Sequence, residues 1–196
     1  MCDSISNKSL PELGTYTSYE SGNEETIYVW SHSKKYIKVK VIVADDYSIT
    51  ATLMEFGMNG EVWEANNENN DLTCRFNFDR ETISIETVYL NKRGVCTTSV
   101  AACIFALVDY CNKNNVFCLQ GMVHILSQDI CAAFNCYNRA FRMNGFKFKE
   151  EEYIKFKNVK PGMGGYYNFK FKSYSNIKQY YLKRFASQVK PLGPKD

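Results

Sequence analysis

Residues Thr82–Cys111 read TISIETVYLNKRGVCTTSVAACIFALVDYC, and three patterns follow one another within them. Thr82–Leu90 is β-branched and aromatic almost throughout, the composition of a pleated, half-buried strand. Asn91-Lys92-Arg93-Gly94 is turn chemistry. From Thr97 to Cys111 the apolar residues Val100, Cys103, Ile104, Leu107, Val108 and Cys111 recur at three and four positions, so the spacing predicts an amphipathic helix that stops at Asn112–Asn115. Strand, glycine turn and helix stand in series, and their neighbours on either side complete the fold.

Upstream lie further β-branched and aromatic runs, Thr26–Trp30, Lys35–Ala44, Ser48–Phe56, Glu61–Ala65 and Thr73–Phe78. Asp45-Asp46, Gly57–Gly60, Asn66–Asp71 and Asp79-Arg80 separate them. This half predicts an antiparallel meander. Downstream, Val116–Ile125 predicts a short apolar strand. A second helix opens at Ser127 or Asp129, carries Ile130, Ala133, Phe134, Tyr137 and Phe141 on one face, and closes at Asn144-Gly145 with Gly145 as its C-cap. Strands over Lys147–Phe156 and Gly165–Tyr174, joined through Lys160–Gly165, and a terminal helix over Ser175–Val189 finish the chain. The expected class is α/β in the α+β sense: a mixed, mostly antiparallel central sheet flanked by helices, with a strand-rich N-terminal half. The expected layout is a polar segment over 1–25, one domain over 26–175, and a C-terminal helix and tail over 176–196.

Composition bounds the function. A chain of 196 residues with 45% hydrophobic and 15% aromatic side chains has the size of one domain and enough apolar surface to order it. It has no apolar run long enough to cross a bilayer, and its first 25 residues are polar, so a cytoplasmic location and no membrane partner are expected. The 8 cysteines include no Cys-x-x-Cys pair, and His32 and His124 stand far apart; free thiols in a reducing compartment and no metal site are the expectation. No Gly-Lys-Ser/Thr phosphate loop, Gly-x-Ser-x-Gly elbow or His-Glu-x-x-His motif occurs, which removes the favoured signals for nucleotide hydrolysis, serine hydrolysis and zinc proteolysis. Charge is uneven. Residues 1–142 carry 12 basic and 17 acidic side chains, whereas 143–196 carry 12 and 4. In that basic quarter Phe and Lys alternate at Phe146–Lys149 and Phe169–Lys172, the pattern of a strand with one solvated face; residues 146–190 also have the cations and aromatics that a nucleic acid or another acidic surface requires.

The order strand, Arg93-Gly94 turn, helix, strand, helix, Gly145-Phe146, strand, strand resembles the second half of the GNAT fold of N-acetyltransferases, over roughly residues 82–175. The resemblance implies that the central strand, with Val88 and Leu90, splays from its neighbour and lends backbone groups to the pantetheine of acetyl-CoA or another acyl-CoA. It implies that Asn91, Lys92, Arg93, Gly94, Val95, Cys96, Thr97, Thr98 and Ser99 hold the pyrophosphate, since unsatisfied N–H groups and the helix dipole attract phosphate there. The family loop reads Gln or Arg, two residues, Gly, one residue, Gly or Ala. With Arg93 first, the two small positions fall on Cys96 and Thr98. With Gly94 fourth, the first falls on Asn91 and the last on Cys96, the preferred register because it keeps one glycine.

The family's usual proton donor to the departing thiolate, a tyrosine four residues before the Gly of Gly145-Phe146, is Phe141 here, so Phe141 is carried over only as a cofactor contact. Tyr137, one helical turn earlier, is the candidate acid, with the Cys136 thiol or a water as substitutes, and Glu86 in the central strand is the candidate base. Cys96, at a helix start beside Lys92 and Arg93, has surroundings that lower a thiol pKa, so a nucleophilic or redox role is a further candidate. Cys103, Cys111 and His124 read as core. The resulting expectation is an acyl-CoA-dependent N-acyltransferase acting on an amine of a small molecule or protein. Two alternatives stand beside it: a catalytically inactive protein of the same fold serving a viral or multiprotein assembly through a protein partner, and a nucleic-acid or acidic-surface binder.

Overall fold

The computed structural model describes residues 13–14, 16–22, 24–32, 34–45, 47–92, 94–114, 120–126, 130–148 and 166–172. Ten strands and two helices form within them: β1 Tyr16–Ser21, β2 Glu25–His32, β3 Lys35–Asp45, β4 Ser48–Met58, β5 Glu61–Glu64, β6 Asn70–Asn77, β7 Thr82–Leu90, α1 Cys96–Lys113, β8 Gln120–Leu126, α2 Ile130–Met143, β9 Lys147–Phe148 and β10 Tyr166–Lys172. The strands make a single sheet in the order β1-β2-β3-β4-β6-β7-β8-β10-β9, with β5 a side branch on β4. Every pairing is antiparallel except β7 with β8, which α1 joins as a crossover. The α+β class with a mixed, mostly antiparallel sheet and a strand-rich N-terminal half is therefore what forms. Among the described residues no helix is long and apolar enough to cross a membrane.

The sheet extends one strand further toward the N-terminus than the sequence pattern predicts. Residues 16–21 fall in the expected polar segment, yet they form β1 and pair with β2 from Tyr16↔Trp30 to Ser21↔Glu25. Tyr16, 2% exposed, supplies the apolar side, its ring edge-on to Phe105 of α1 at 4.7 Å. β6 likewise begins three residues before the expected Thr73, because Asn70 brackets the turn at Asn67 and its amide side chain donates to the Glu64 carbonyl at 3.3 Å. The expected caps Ser127 and Asp129, the Lys160–Gly165 connection and the terminal helix lie outside the described residues, as do most of the strand expected over 147–156 and part of that over 116–125.

α1 is buried nearly all round, beyond the single face its periodicity predicts. Ala101, Ala102, Phe105 and Ala106 are as fully enclosed as Val100, Ile104 and Leu107. A helix with apolar residues around its circumference belongs inside a layer sandwich. Here one side packs on β3, β4, β6 and β7 and the other meets α2. The small residues Ala101 and Ala102 allow that approach, and Asn144, just past α2, donates to the Ala101 carbonyl at 3.0 Å. α2 ends as the sequence predicts: Gly145 takes φ +85°, its N–H bonds Arg142 and the Phe146 N–H bonds Phe141, a Schellman closure. Phe141 then seats on β8 at Gly121, where any Cβ would overlap its ring. The opposite face of the sheet carries paired charges, Lys38–Glu55 at 3.0 Å and Lys40–Glu25 at 3.3 Å.

Candidate functional site

β7 and β8 separate part-way along their length. Their parallel register runs from Thr82↔Gln120 to Ile85↔Val123 and then stops, while β7 continues to Leu90 and β8 to Leu126. Each keeps its other neighbour: β7 pairs β6 up to Leu90↔Asn70, and β8 pairs β10 up to Leu126↔Tyr166. Among the described residues the facing edges of β7 beyond Ile85 and of β8 beyond Val123 have no strand partner, which leaves backbone donors and acceptors there available to solvent or a ligand. The divergence starts at a β-bulge: Thr73 opposes Thr87 and Cys74 opposes Ile85, so Glu86 is the extra residue and the strand bends. Val88 and Leu90 lie on this freed stretch and are half-buried against the core.

The loop that leaves β7 turns directly into α1. The Asn91 N–H is held by Asn70 Oδ1 at 3.0 Å, and the Lys92 ammonium lies 4.8 Å over the Trp63 ring. Gly94 adopts φ +83°, in the left-handed region, and a Cβ there would meet nothing within 4 Å. Val95, the residue before the first turn of α1, contributes no side-chain cap, and that turn holds no acidic residue. The first helical bond runs from Ser99 N–H to the Val95 carbonyl at 3.0 Å, so the N–H groups of Cys96, Thr97 and Thr98 precede it. The Thr98 hydroxyl is committed to the Val95 carbonyl at 3.1 Å. Ser99 Oγ, fully buried beneath this turn, has no hydrogen-bond partner among the described residues. Arg93 lies outside the described residues.

Of the catalytic candidates, Glu86 is half-exposed and its Oε1 sits 2.8 Å from Arg75 Nε, a charge contact that Arg75 shares with Asp45 at 3.6 Å. Leu72, Cys74 and Phe76 of β6 point to the helix layer, so Arg75, and Glu86 with it, belong to the opposite face. Tyr137 is half-buried on the helix side, where burial first, and then Cys136 and Cys96, raise its phenol well above the ordinary value. A phenol so shifted is a weaker acid toward a thiolate than an exposed tyrosine. The sheet separates the two candidates. Phe141 is wholly enclosed, edge-on to Phe146 at 5.2 Å, and its ring belongs to the α2–β8 packing.

Around Tyr137 the structure gathers residues that the sequence holds far apart. Cys96 at the start of α1 and Cys136 in α2 lie near enough for each thiol to shift the other, and Thr97 acts on Cys136 as well. Cys136 lowers the Cys96 thiol against an opposing effect of burial, and Cys96 together with burial pushes Cys136 well up. Sequence spacing carried no signal for that approach. It did carry one for Asp109, a lone acid within an apolar helix face, which the structure buries against tyrosines of β1 and β2.

No protein-family model matches the chain, and no curated protein matches it in sequence. A search of solved structures returns the crystal structure of nourseothricin acetyltransferase, at 12% identity and a TM-score of 0.35, covering 82% of this chain and 84% of that one.

Proposed function

We propose that the protein is a divergent GNAT-type N-acyltransferase that binds acetyl-CoA or another acyl-CoA and passes the acyl group to an amine. The observation that carries this reading is the opening between β7 and β8 together with the uncapped start of α1 that β7 leads into. The freed edge at Val88 and Leu90 suits the amide groups of pantetheine, which bond to a strand as another strand would. Pyrophosphate suits the N–H groups of Cys96, Thr97 and Thr98, with Gly94 leaving room for its approach and Lys92 adding charge. Bound acyl-CoA supplies the activated thioester; the chain supplies placement. Holding amine and thioester in attack geometry is the main contribution expected of a site whose acid and base are weak. Tyr137 is the remaining donor near α1, whereas Glu86, beside Arg75 on the opposite face of the sheet, is a base only for an amine that enters from that face.

Titration calorimetry of the full chain with acetyl-CoA and with CoA tests the reading. Saturable micromolar binding that is lost in Gly94→Asp supports it. No heat up to millimolar ligand removes it.

A second reading, a catalytically inactive interaction module of the same fold, is favoured by one specific observation: Phe141, at the position where the family places its acid, is sealed into the core. Binding of CoA without turnover on any amine panel would separate a cofactor-binding module from a transferase. A nucleic-acid role for residues 146–190 rests on charge pattern alone, and most of those residues lie outside the described ones.

A further inference from the structure

Where Lys35 opposes Met58, the end of the β3–β4 pair meets the first turn of α1 around a cavity of about 10 Å³, room for one particle the size of a water molecule. Ile37, Phe56 and Val95 give it buried apolar walls, Lys35 and Gly94 stand exposed at its mouth, and Ser99 lines it from α1. Ser99 is 0% exposed, and its Oγ has no hydrogen-bond partner among the described residues. We propose that this cavity is a site for one monatomic anion of the chloride type, to which the Ser99 hydroxyl donates.

Local bonding explains why Ser99 has a donor to give. A serine inside a helix ordinarily turns its hydroxyl back to the carbonyl four residues earlier. For Ser99 that is the Val95 carbonyl, which already accepts the Ser99 N–H at 3.0 Å and the Thr98 hydroxyl at 3.1 Å, so both of its lone pairs are taken. A buried hydroxyl without a partner costs stability, and a hydrogen bond to an ion recovers it. Charge then selects the occupant. The cavity lies at the positive end of an 18-residue helix whose first turn holds no acidic side chain, with Lys35 across from it. A water would have to donate as well as accept, yet Val95 has no lone pair left and the apolar walls offer no acceptor; an anion only accepts. Size selects further. Phosphate and carboxylate groups exceed one water-sized particle, so this site is distinct from the one proposed for pyrophosphate and does not rest on acyl-CoA binding.

The test is thermal unfolding of the full chain at fixed ionic strength while sodium gluconate, whose anion is too large for the cavity, is replaced by sodium chloride. The wild-type midpoint is expected to rise saturably, by about 2–4 °C once chloride reaches about five times its dissociation constant. Ser99→Ala removes the donor. Its midpoint is expected to exceed the wild type's in gluconate, because an unpaired buried hydroxyl is gone, and to show no rise with chloride. Lys35→Met keeps the donor and removes the charge, so the same rise should need a few-fold more chloride. A wild-type midpoint equal in the two salts, a chloride rise that persists in Ser99→Ala, or a Ser99→Ala midpoint lowered equally in both salts, the signature of a bound water, would each overturn the assignment.

Discussion

The two ends of α1 are finished in opposite ways. At the C-terminal end Asp109, 4% exposed, accepts from the Tyr28 hydroxyl at 2.7 Å and more loosely from Tyr16 at 3.4 Å, and pairs with Lys113 at 2.8 Å. Lys113 in turn donates to Ser18 at 3.1 Å and lies 5.5 Å over the Tyr28 ring, while the Asn114 amide donates to the Tyr110 carbonyl at 2.8 Å. At the N-terminal end Val95 provides no cap, Gly94 stands open, and Ser99 Oγ lacks a partner among the described residues. One helix thus joins an end where a buried acid ties β1 and β2 to the core, although the Asn112 amide there has no partner among the described residues, to an end with donors still to be filled. Stability is concentrated at the first, and ligand chemistry is available at the second.

The largest effect is expected from breaking the Asp109 end. Asp109→Ala strands two tyrosine hydroxyls and a lysine, and should lower unfolding stability by about 3–5 kcal/mol, the cost of removing one partner from a buried charged network. Urea titration should show a reduced midpoint with an unchanged slope. A loss below about 1 kcal/mol would mean the network behaves as a surface pair and the contrast between the ends is false. The same cluster fixes an alkaline limit. Burial, with Asp109 next, raises the Tyr28 phenol far above its ordinary value near 10. The unfolded chain therefore loses that proton first, and stability should be intact below pH 10 and fall above it. Tyr28→Phe should flatten this slope, though not abolish it, because Tyr36, Tyr110 and Tyr137 are raised as well.

Breaking the open end should cost less stability than breaking the Asp109 end. Gly94→Asp sets a carboxylate against the proposed pyrophosphate site and should weaken CoA by roughly 10²-fold, about 2.7 kcal/mol. The Cβ meets nothing, so only the left-handed backbone opposes the substitution, at roughly 1–2 kcal/mol. Gly94→Ala carries the same backbone cost without the charge and should bind CoA within a few-fold of wild type. Equal loss in both variants would assign the effect to backbone strain and count against an anion at this turn.

How much of this contrast the sequence announces depends on how local the information is. The strand-to-helix turn was legible because Thr82–Leu90, the Asn91–Gly94 turn and the helical spacing after Thr97 are contiguous. β1 was not, since YTSYES alternates polar and aromatic residues weakly and its one deeply buried side chain, Tyr16, is explained by contacts in other elements, with Trp30 of β2 and Phe105 and Asp109 of α1. The periodicity of α1 marked one buried face but not the second, because α1 is also packed against α2, which comes from a separate stretch of sequence. The Arg75 contact of Glu86 and the approach of Cys96 to Cys136 each join separate elements and leave no trace in spacing.

Between the two ends, Phe141→Tyr sharpens the question of catalysis. It restores a phenol at the family's usual position, but the ring is enclosed between Gly121 and Phe146, so the added hydroxyl should cost about 1–3 kcal/mol of stability as a buried, unpaired group. Turnover should not rise. A gain in acyl transfer without loss of thermal stability would show that the ring reaches the β7–β8 opening after all and would restore it to the mechanism.

The smallest effect belongs to Lys92, which distinguishes charge from shape at the open end. Its ammonium over Trp63 is an exposed cation–π contact worth about 0.5–1 kcal/mol, so Lys92→Ala should lower stability by no more than that. If the ammonium also screens the phosphates, CoA affinity should drop a few-fold and depend less on salt. Trp63→Leu removes the ring that holds the ammonium but keeps the charge. Retained affinity in Trp63→Leu with reduced affinity in Lys92→Ala would assign the effect to charge; equal reductions would assign it to the position that Trp63 imposes. Unchanged affinity in both would remove Lys92 from the site and leave the backbone of the first turn of α1 as the sole anion contact proposed there.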